Sequence, residues 1–256
     1  MTNTVTQMSD RSFSQSEWAL RVDLAAAFRL AVHFGWHESV ANHFSAVTSE
    51  DGKTFLLNPR WKHFATIKAS DLLKLDSEDE EVMVREDAPD PSAWGLHGSI
   101  HRLVPDAKVL LHCHPPYATA LCGLKDPSIK PIDQNTARFF ERMEIDLDFG
   151  GLASEEGEGE RLARGVRRHS VMIMGNHGVA VVGSTVAEAF EDLYYLERAA
   201  QTMVLAYSTG QALNLMDDEL ARTVAKGWDA YREGLAEGHF SYLKTMLDQT
   251  DSSWRE

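Results

Sequence analysis

Val109-Leu110-Leu111-His112-Cys113-His114-Pro115-Pro116-Tyr117 is the stretch whose reading decides how this chain folds and where its chemistry sits. Its three consecutive apolar residues read as a buried strand, and Pro115, with no N–H to give a ladder, ends it. Side chains alternate along a strand, so His112 and His114 leave one face at its C-terminal end while Cys113 leaves the other. Two imidazoles one pleat apart are spaced to share a divalent ion, provided a third ligand arrives from elsewhere. His177 is that candidate. Val171-Met172-Ile173-Met174 and Val179-Ala180-Val181-Val182 read as apolar strands joined by the tight turn Gly175-Asn176-His177-Gly178, whose tip falls at a sheet end. In that turn Asn176 is expected to set the geometry and Gly178 to supply a positive φ.

Outward from this centre the chain alternates helical and extended patterns. Ser14-Gln15-Ser16-Glu17 is a capping box, and the apolar residues from Trp18 to Val32 recur with helical spacing until Gly35. Residues 43–48 and 54–58 flank Asp51-Gly52, a hairpin signal. A second helix is expected after Pro91, capped by Ser92, with Trp94, Leu96, Ile100 and Leu103 on its buried side and His97 and His101 four residues apart on one face. A short helix follows Pro116, a charged helix is expected over 154–169, and Thr185 caps a long helix through Ala206. Residues 216–248 read as a final helix with an aromatic side. Hairpins outnumber strand-helix-strand alternations, so a mixed or mainly antiparallel sheet is expected. The expected division is a flexible tail over 1–13, one α/β domain over 14–210 and a helical C-terminal extension over 211–256 that packs on the domain or on a neighbouring subunit.

The chain has 256 residues, 43% of them hydrophobic, enough for a sizeable core. Its 25 Lys and Arg against 39 Asp and Glu leave a net charge of −14, which disfavours nucleic acid and anionic membranes as partners. An anionic small-molecule substrate would have to be drawn by a local cationic site. No apolar run approaches the ~20 residues of a spanning helix. Two cysteines, Cys113 and Cys122, do not make a disulfide framework, so a cytoplasmic location is the expectation.

Taken together, Ala41-Asn42-His43-Phe44-Ser45, Leu57-Asn58-Pro59, Ala69-Ser70-Asp71-Leu72, His97-Gly98-Ser99-Ile100-His101, His112-Cys113-His114 and Gly175-Asn176-His177-Gly178 resemble the class II aldolase/adducin superfamily. The set runs in family order over about residues 17–207. The resemblance implies a three-layer α/β/α fold with a central, mainly antiparallel sheet. It also implies a homotetramer with sites near subunit interfaces, and one divalent ion per chain held by His112, His114 and His177. Imidazole ligands do not choose among zinc, manganese and iron(II).

Departures from the family pattern shape the functional expectation. A glutamate that acts as base in the sugar-phosphate aldolases has its counterpart at Ala93, and the phosphate loop is altered at Asn42-His43 and Asn58-Pro59-Arg60-Trp61. Some relatives with this altered pattern resemble metal-dependent decarboxylases. The expectation is a metal-dependent carbon–carbon lyase acting on a small hydroxylated or keto carboxylate, decarboxylation being favoured over aldol cleavage. The alternatives are an aldolase for a non-phosphorylated substrate, a non-catalytic adducin-like binding protein, or an iron(II) oxygenase on the same histidines. His97 and His101 are the candidates for proton transfer. Arg60 is the candidate carboxylate clamp. Asn42, His43, Ser45, Gln134, Arg138 and Tyr117 are the remaining candidate substrate contacts.

Overall fold

The computed structural model describes residues 13–148, 150–151 and 157–256. All but the last residue of the expected 1–13 tail and the first part of the expected 154–169 helix lie outside these residues. One seven-stranded sheet carries the fold. Its strands are β1 (His43–Val47), β2 (Thr54–Leu57), β3 (Leu73–Asp76), β4 (Val109–Cys113), β5 (Met143–Asp146), β6 (Val171–Met174) and β7 (Val179–Gly183). Their spatial order is β3-β2-β1-β4-β7-β6-β5. Every neighbouring pair is antiparallel except β5 and β6, so the mainly antiparallel sheet expected from the hairpins is present. β3 and β5 carry no clear sequence signal. Each is four residues long and alternates or mixes polar with apolar side chains at a sheet edge.

Side-chain alternation divides the core in two. Phe44, Val109, Leu111, Cys113, Ile173, Val179 and Val181 face one side, where they pack with α1 (Gln15–His33), α4 (Pro116–Cys122) and α7 (Val186–Ser208). Leu110, Met172, Met174, Ala180 and Val182 face the other, against α3 (Ser99–Leu103) and α6 (Glu158–Val166). The layers are therefore helix, sheet, helix. Ahead of α3 the chain runs through one helical turn, α2 (Pro91–Ala93), and a π-helical turn over Trp94–Gly98. The residue capping α2 is Asp90 and not Ser92: its carboxylate accepts from Ser92 N, and Pro91 takes the first helical position, where its missing N–H leaves no bond unmade.

Ser14 and Thr185 cap α1 and α7 as expected, accepting from Glu17 N and Glu188 N. Between α4 and β5 lies the four-residue α5 (Gln134–Ala137), capped by Asp133. The last helix, α8 (Asp218–Thr250), lies against α7. There Glu191, buried on α7, is met by His239 Nδ1 at 2.5 Å, and Asp192 is met by Arg232 at 2.7 Å. Among the described residues no helix is long and apolar enough to cross a membrane.

The chain ends by returning to α1. Trp254 is fully buried in the larger core, and Glu256 O accepts Ser70 N at 2.9 Å. Trp254→Ala is expected to cost about 3–5 kcal/mol of stability through the cavity it leaves. Equilibrium denaturation of the variant, showing a loss well below 1 kcal/mol, would mean that this end is not docked as described.

Candidate active site

β4 and the β6–β7 turn bring His112, His114 and His177 together. Their candidate ligand atoms all lie within 4.8 Å of one another, and the three ring centroids are 4.8–5.1 Å apart. Each partner of the first two rings fixes a tautomer. His112 Nδ1–H donates to Val179 O at 2.9 Å, leaving Nε2 as the lone-pair nitrogen. His114 Nδ1–H donates to Glu38 Oε2 at 2.6 Å, and its Nε2 is buried without a protein partner.

The turn holding His177 is shaped by contact as much as by conformation. Asn176 takes the left-handed backbone, with φ of 56°, so the positive φ belongs to Asn176 and not to Gly178. Gly178 is required for a different reason: a Cβ there would stand 2.3 Å from His114 Cδ2 and 3.0 Å from its Nε2. No side chain fits that gap, so the glycine lets the turn close on the histidine ring. The turn is also tied to the end of α4, since Asn176 N donates to Cys122 O and Cys122 Sγ–H to Gly178 O.

A second set of imidazoles stands directly beside the first. His43 is paired with His112 across β1 and β4, and their ring centroids are 4.8 Å apart. His43 Nδ1 meets His97 Nε2 at 2.9 Å. His97 Nδ1 meets Ser45 Oγ at 2.5 Å, and Ser45 Oγ meets His101 Nε2 at 2.6 Å. The result is an unbroken hydrogen-bonded chain, His43-His97-Ser45-His101, buried at every member. The i, i+4 spacing of His97 and His101 does put both on one face, and that face is aimed at a single serine hydroxyl.

Asn42, His43 and Arg60 line a cavity of about 190 Å³ next to this chain, with Asn58, Asp90 and Ala93. Arg60, expected as a carboxylate clamp, already faces Asp90, with Nε 3.5 Å from Oδ2. The other candidates lie elsewhere in this chain. Arg138 is 1% exposed, donates to Asp192 at 2.8 Å and has its guanidinium over the rings of Tyr195 and Trp228. Gln134 opens α5, its carbonyl accepting Trp228 Nε1–H at 2.8 Å. Tyr117 packs against the larger core.

Two acids went unnoticed in the sequence because each is distant from what it serves. Glu38 is 76 residues from His114. Glu197, on α7, accepts Tyr117 N at 2.9 Å and Ala118 N at 2.8 Å, the first N–H groups available after Pro115 and Pro116. It thereby caps the helix that follows His114. No local motif announces a carboxylate that acts across the fold.

The family model described as "Class II Aldolase and Adducin N-terminal domain" matches residues 22–204. An aldolase II superfamily protein from Pseudomonas syringae is structurally similar, with a TM-score of 0.86 and 31% identity over 96% of this chain and 98% of its own. An adducin-related protein of Schizosaccharomyces pombe is 29% identical over 95% of this chain and 78% of its length. A protein of Streptomyces niveus named decarboxylase NovR is 26% identical over 86% of this chain and 84% of its own.

Burial sets the protonation of the site. It holds His97 and His112 well below the usual imidazole range, His43 and His101 at about 3 and His177 at about 4, because a charged ring there would lose its hydration. In the unfolded chain the same five rings titrate near 6.5. As pH falls below that value the unfolded state takes up protons that the folded state refuses, so stability is lost. Glu197 acts in the opposite sense: burial lifts it to about 7, and its contribution is present at low pH and lost as pH rises through 7. One carboxyl against five rings leaves the net sign with the histidines. The denaturation midpoint of chelator-treated protein is therefore expected to fall from pH 7.5 to pH 5; a flat profile would contradict buried, neutral imidazoles.

Proposed function

This chain belongs to the class II aldolase and adducin family, and on that premise we propose that it is a divalent-metal-dependent carbon–carbon lyase for a small hydroxylated or keto carboxylate, decarboxylation being favoured over aldol cleavage. The observation that carries the reading is the convergence of three imidazoles on one point. There His114 Nε2 is buried without a partner, and only a glycine at 178 leaves room for its ring. Such a donor set suits zinc, manganese or iron(II). A dipositive ion bound there supplies an electron sink for the negative charge that develops on substrate oxygen as the carbon–carbon bond breaks.

The remaining steps fall to the chain's own residues. Ala93, at the position of the aldolase glutamate, is 2% exposed and brings no carboxylate to the site. The chain His43-His97-Ser45-His101 takes over the handling of protons. It has two hydrogen-bond polarities with the same number of protons. In one, His43 Nε2 carries a proton and His101 is protonated at Nε2; in the other, every bond is reversed, His43 Nε2 is bare and His101 is protonated at Nδ1. His43 can therefore present either a proton or a lone pair at Nε2 while every ring of the chain is neutral before transfer; a proton given up or taken on there is balanced by one exchanged with solvent in the same turnover. Protonation of a product carbanion needs the first. Abstraction of a hydroxyl proton, the start of aldol cleavage, needs the second.

The proposal includes an oligomer with sites near subunit boundaries, residues 14–210 as the catalytic domain and 211–256 as its helical extension. Support for an interface comes from the outer face of α8, where Leu220, Tyr231 and Tyr242 are each at least half exposed.

Elemental analysis tests the reading. Protein purified without added metal is expected to hold about one transition-metal ion per chain, and His114→Ala to hold none. Glu38→Gln, which loosens the His114 ring and weakens its basicity, is expected to reduce zinc affinity about 10–100-fold. No metal in the wild type, even after reconstitution with zinc, manganese or iron(II), would favour a non-catalytic role like that of the adducins. Turnover that requires O2 would favour an oxygenase.

A further inference from the structure

Two of the three site histidines lie beyond the reach of the sheet. The β4–β7 ladder ends with Cys113 opposite Val179, so His112 stands inside it while His114 and His177 project past its last pair. Metal–ligand distances vary by only about 0.2 Å, so the spacing of these two rings has to be set by something other than the ladder.

α4 joins them. It is about 10 Å long and fastened at both ends. At its start, Pro115 and Pro116 link it to His114, and their rings lock φ, Pro115 at −62°, so the link has little freedom. The next two N–H groups, of Tyr117 and Ala118, are taken at 2.9 and 2.8 Å by the two oxygens of Glu197, which is 6% exposed on α7. At its end, Cys122 holds the His177 turn twice: Asn176 N donates to Cys122 O at 2.9 Å, and Cys122 Sγ–H donates to Gly178 O at 3.2 Å. Burial pushes the Cys122 thiol up to about 12, so it keeps the proton that it donates. The circuit closes where Gly178 meets the His114 ring. A further bond, from Gly175 N to Asp146 O at 2.7 Å, ties the turn to β5, which β6 and β7 separate from β4, so it does not relate the turn to His114.

Resting on the metal-dependent reading above, we propose that α4 is a strut that sets the separation of His114 and His177, with Glu197 and Cys122 as the positioning residues at its two ends. Both then govern metal affinity although neither is a ligand. A role in packing alone has a different consequence: loss of the buried thiol or carboxylate would lower the stability of the fold and leave the zinc affinity of the folded protein unchanged.

Competition with a chromophoric chelator gives the zinc affinity of each variant, measured at pH 8, where Glu197 is ionised. Cys122→Ala is expected to bind zinc about fivefold more weakly than the wild type, and Cys122→Ser, whose hydroxyl still donates to Gly178 O, within about twofold of it. Glu197→Gln, whose amide accepts from only one of the two N–H groups, is expected to lose about tenfold. Denaturation of the chelator-treated variants reads their folding separately, and if Glu197→Gln does not fold, the two cysteine variants decide. Wild-type affinity in Cys122→Ala, or in a folded Glu197→Gln, would overturn the proposal. So would a loss in Cys122→Ser as large as in Cys122→Ala, which would trace the effect to the size of the sulfur and not to its hydrogen bond. A wild type that binds no zinc would instead overturn the metal-dependent reading itself.

Discussion

The register of β4 against its two neighbours is the constraint on which the rest of the structure depends. β4 is hydrogen-bonded on one edge to β1 and on the other to β7, both antiparallel, with His112 opposite His43 on one side and Ala180 on the other. A slip of β4 by one residue would turn His112 into the apolar layer beneath α1 and α7, away from His43 and Ser45, and turn Leu111 out of it. Burying Phe44, Val109, Leu111 and Cys113 on one face thus fixes the polar residues on the other. The site is held in place by hydrophobic packing on the side of the sheet that does no chemistry.

That arrangement buries four titratable rings, His43, His97, His101 and His112, and each must find its hydrogen bonds inside the protein. They do so by sharing. One serine hydroxyl serves both His97 and His101, one backbone carbonyl serves His112, and one carboxylate serves His114. The π-helical turn that carries His97 fits this economy, since π-turns recur where a helix must place a side chain off the regular path. Neutral imidazoles are what a divalent cation requires of its ligands and also what a two-way hydrogen-bonded chain requires of its members. Burial supplies both conditions at once.

α7 does the corresponding work behind the sheet. Glu197 caps α4 just beyond the two prolines that stop β4, so the chain after His114 is held by one acid while its ring is held by another, Glu38. About a turn and a half earlier, Glu191 and Asp192 bind α8 through His239 and Arg232, and Asp192 also binds Arg138 just past α5. Removing one partner from such a buried pair leaves an uncompensated charge, so these contacts specify how α8 is seated more than they add stability.

Much of this was legible in the residues alone. The period-two alternation of His112-Cys113-His114 places two ligands on one face, the apolar strands around Asn176-His177 place the third at a sheet end, and the i, i+4 spacing of His97 and His101 puts both on one side of a helix. Each of these is a local consequence of backbone geometry, so a linear reading reaches it. The tertiary structure alone decided what the local rules do not contain: that Ser45 bridges the two helix histidines, that Asp90 stands within ion-pair reach of Arg60, that Glu38 accepts from His114 while Glu197 caps the helix after it, and that Gly178 is needed for a contact and not for its φ. It also placed Arg138 in an ion pair beneath α8. Those partners are separated by 30 to 80 residues or are chosen by shape, and hydrogen bonds and van der Waals contacts depend on distances that exist only once the sheet has closed.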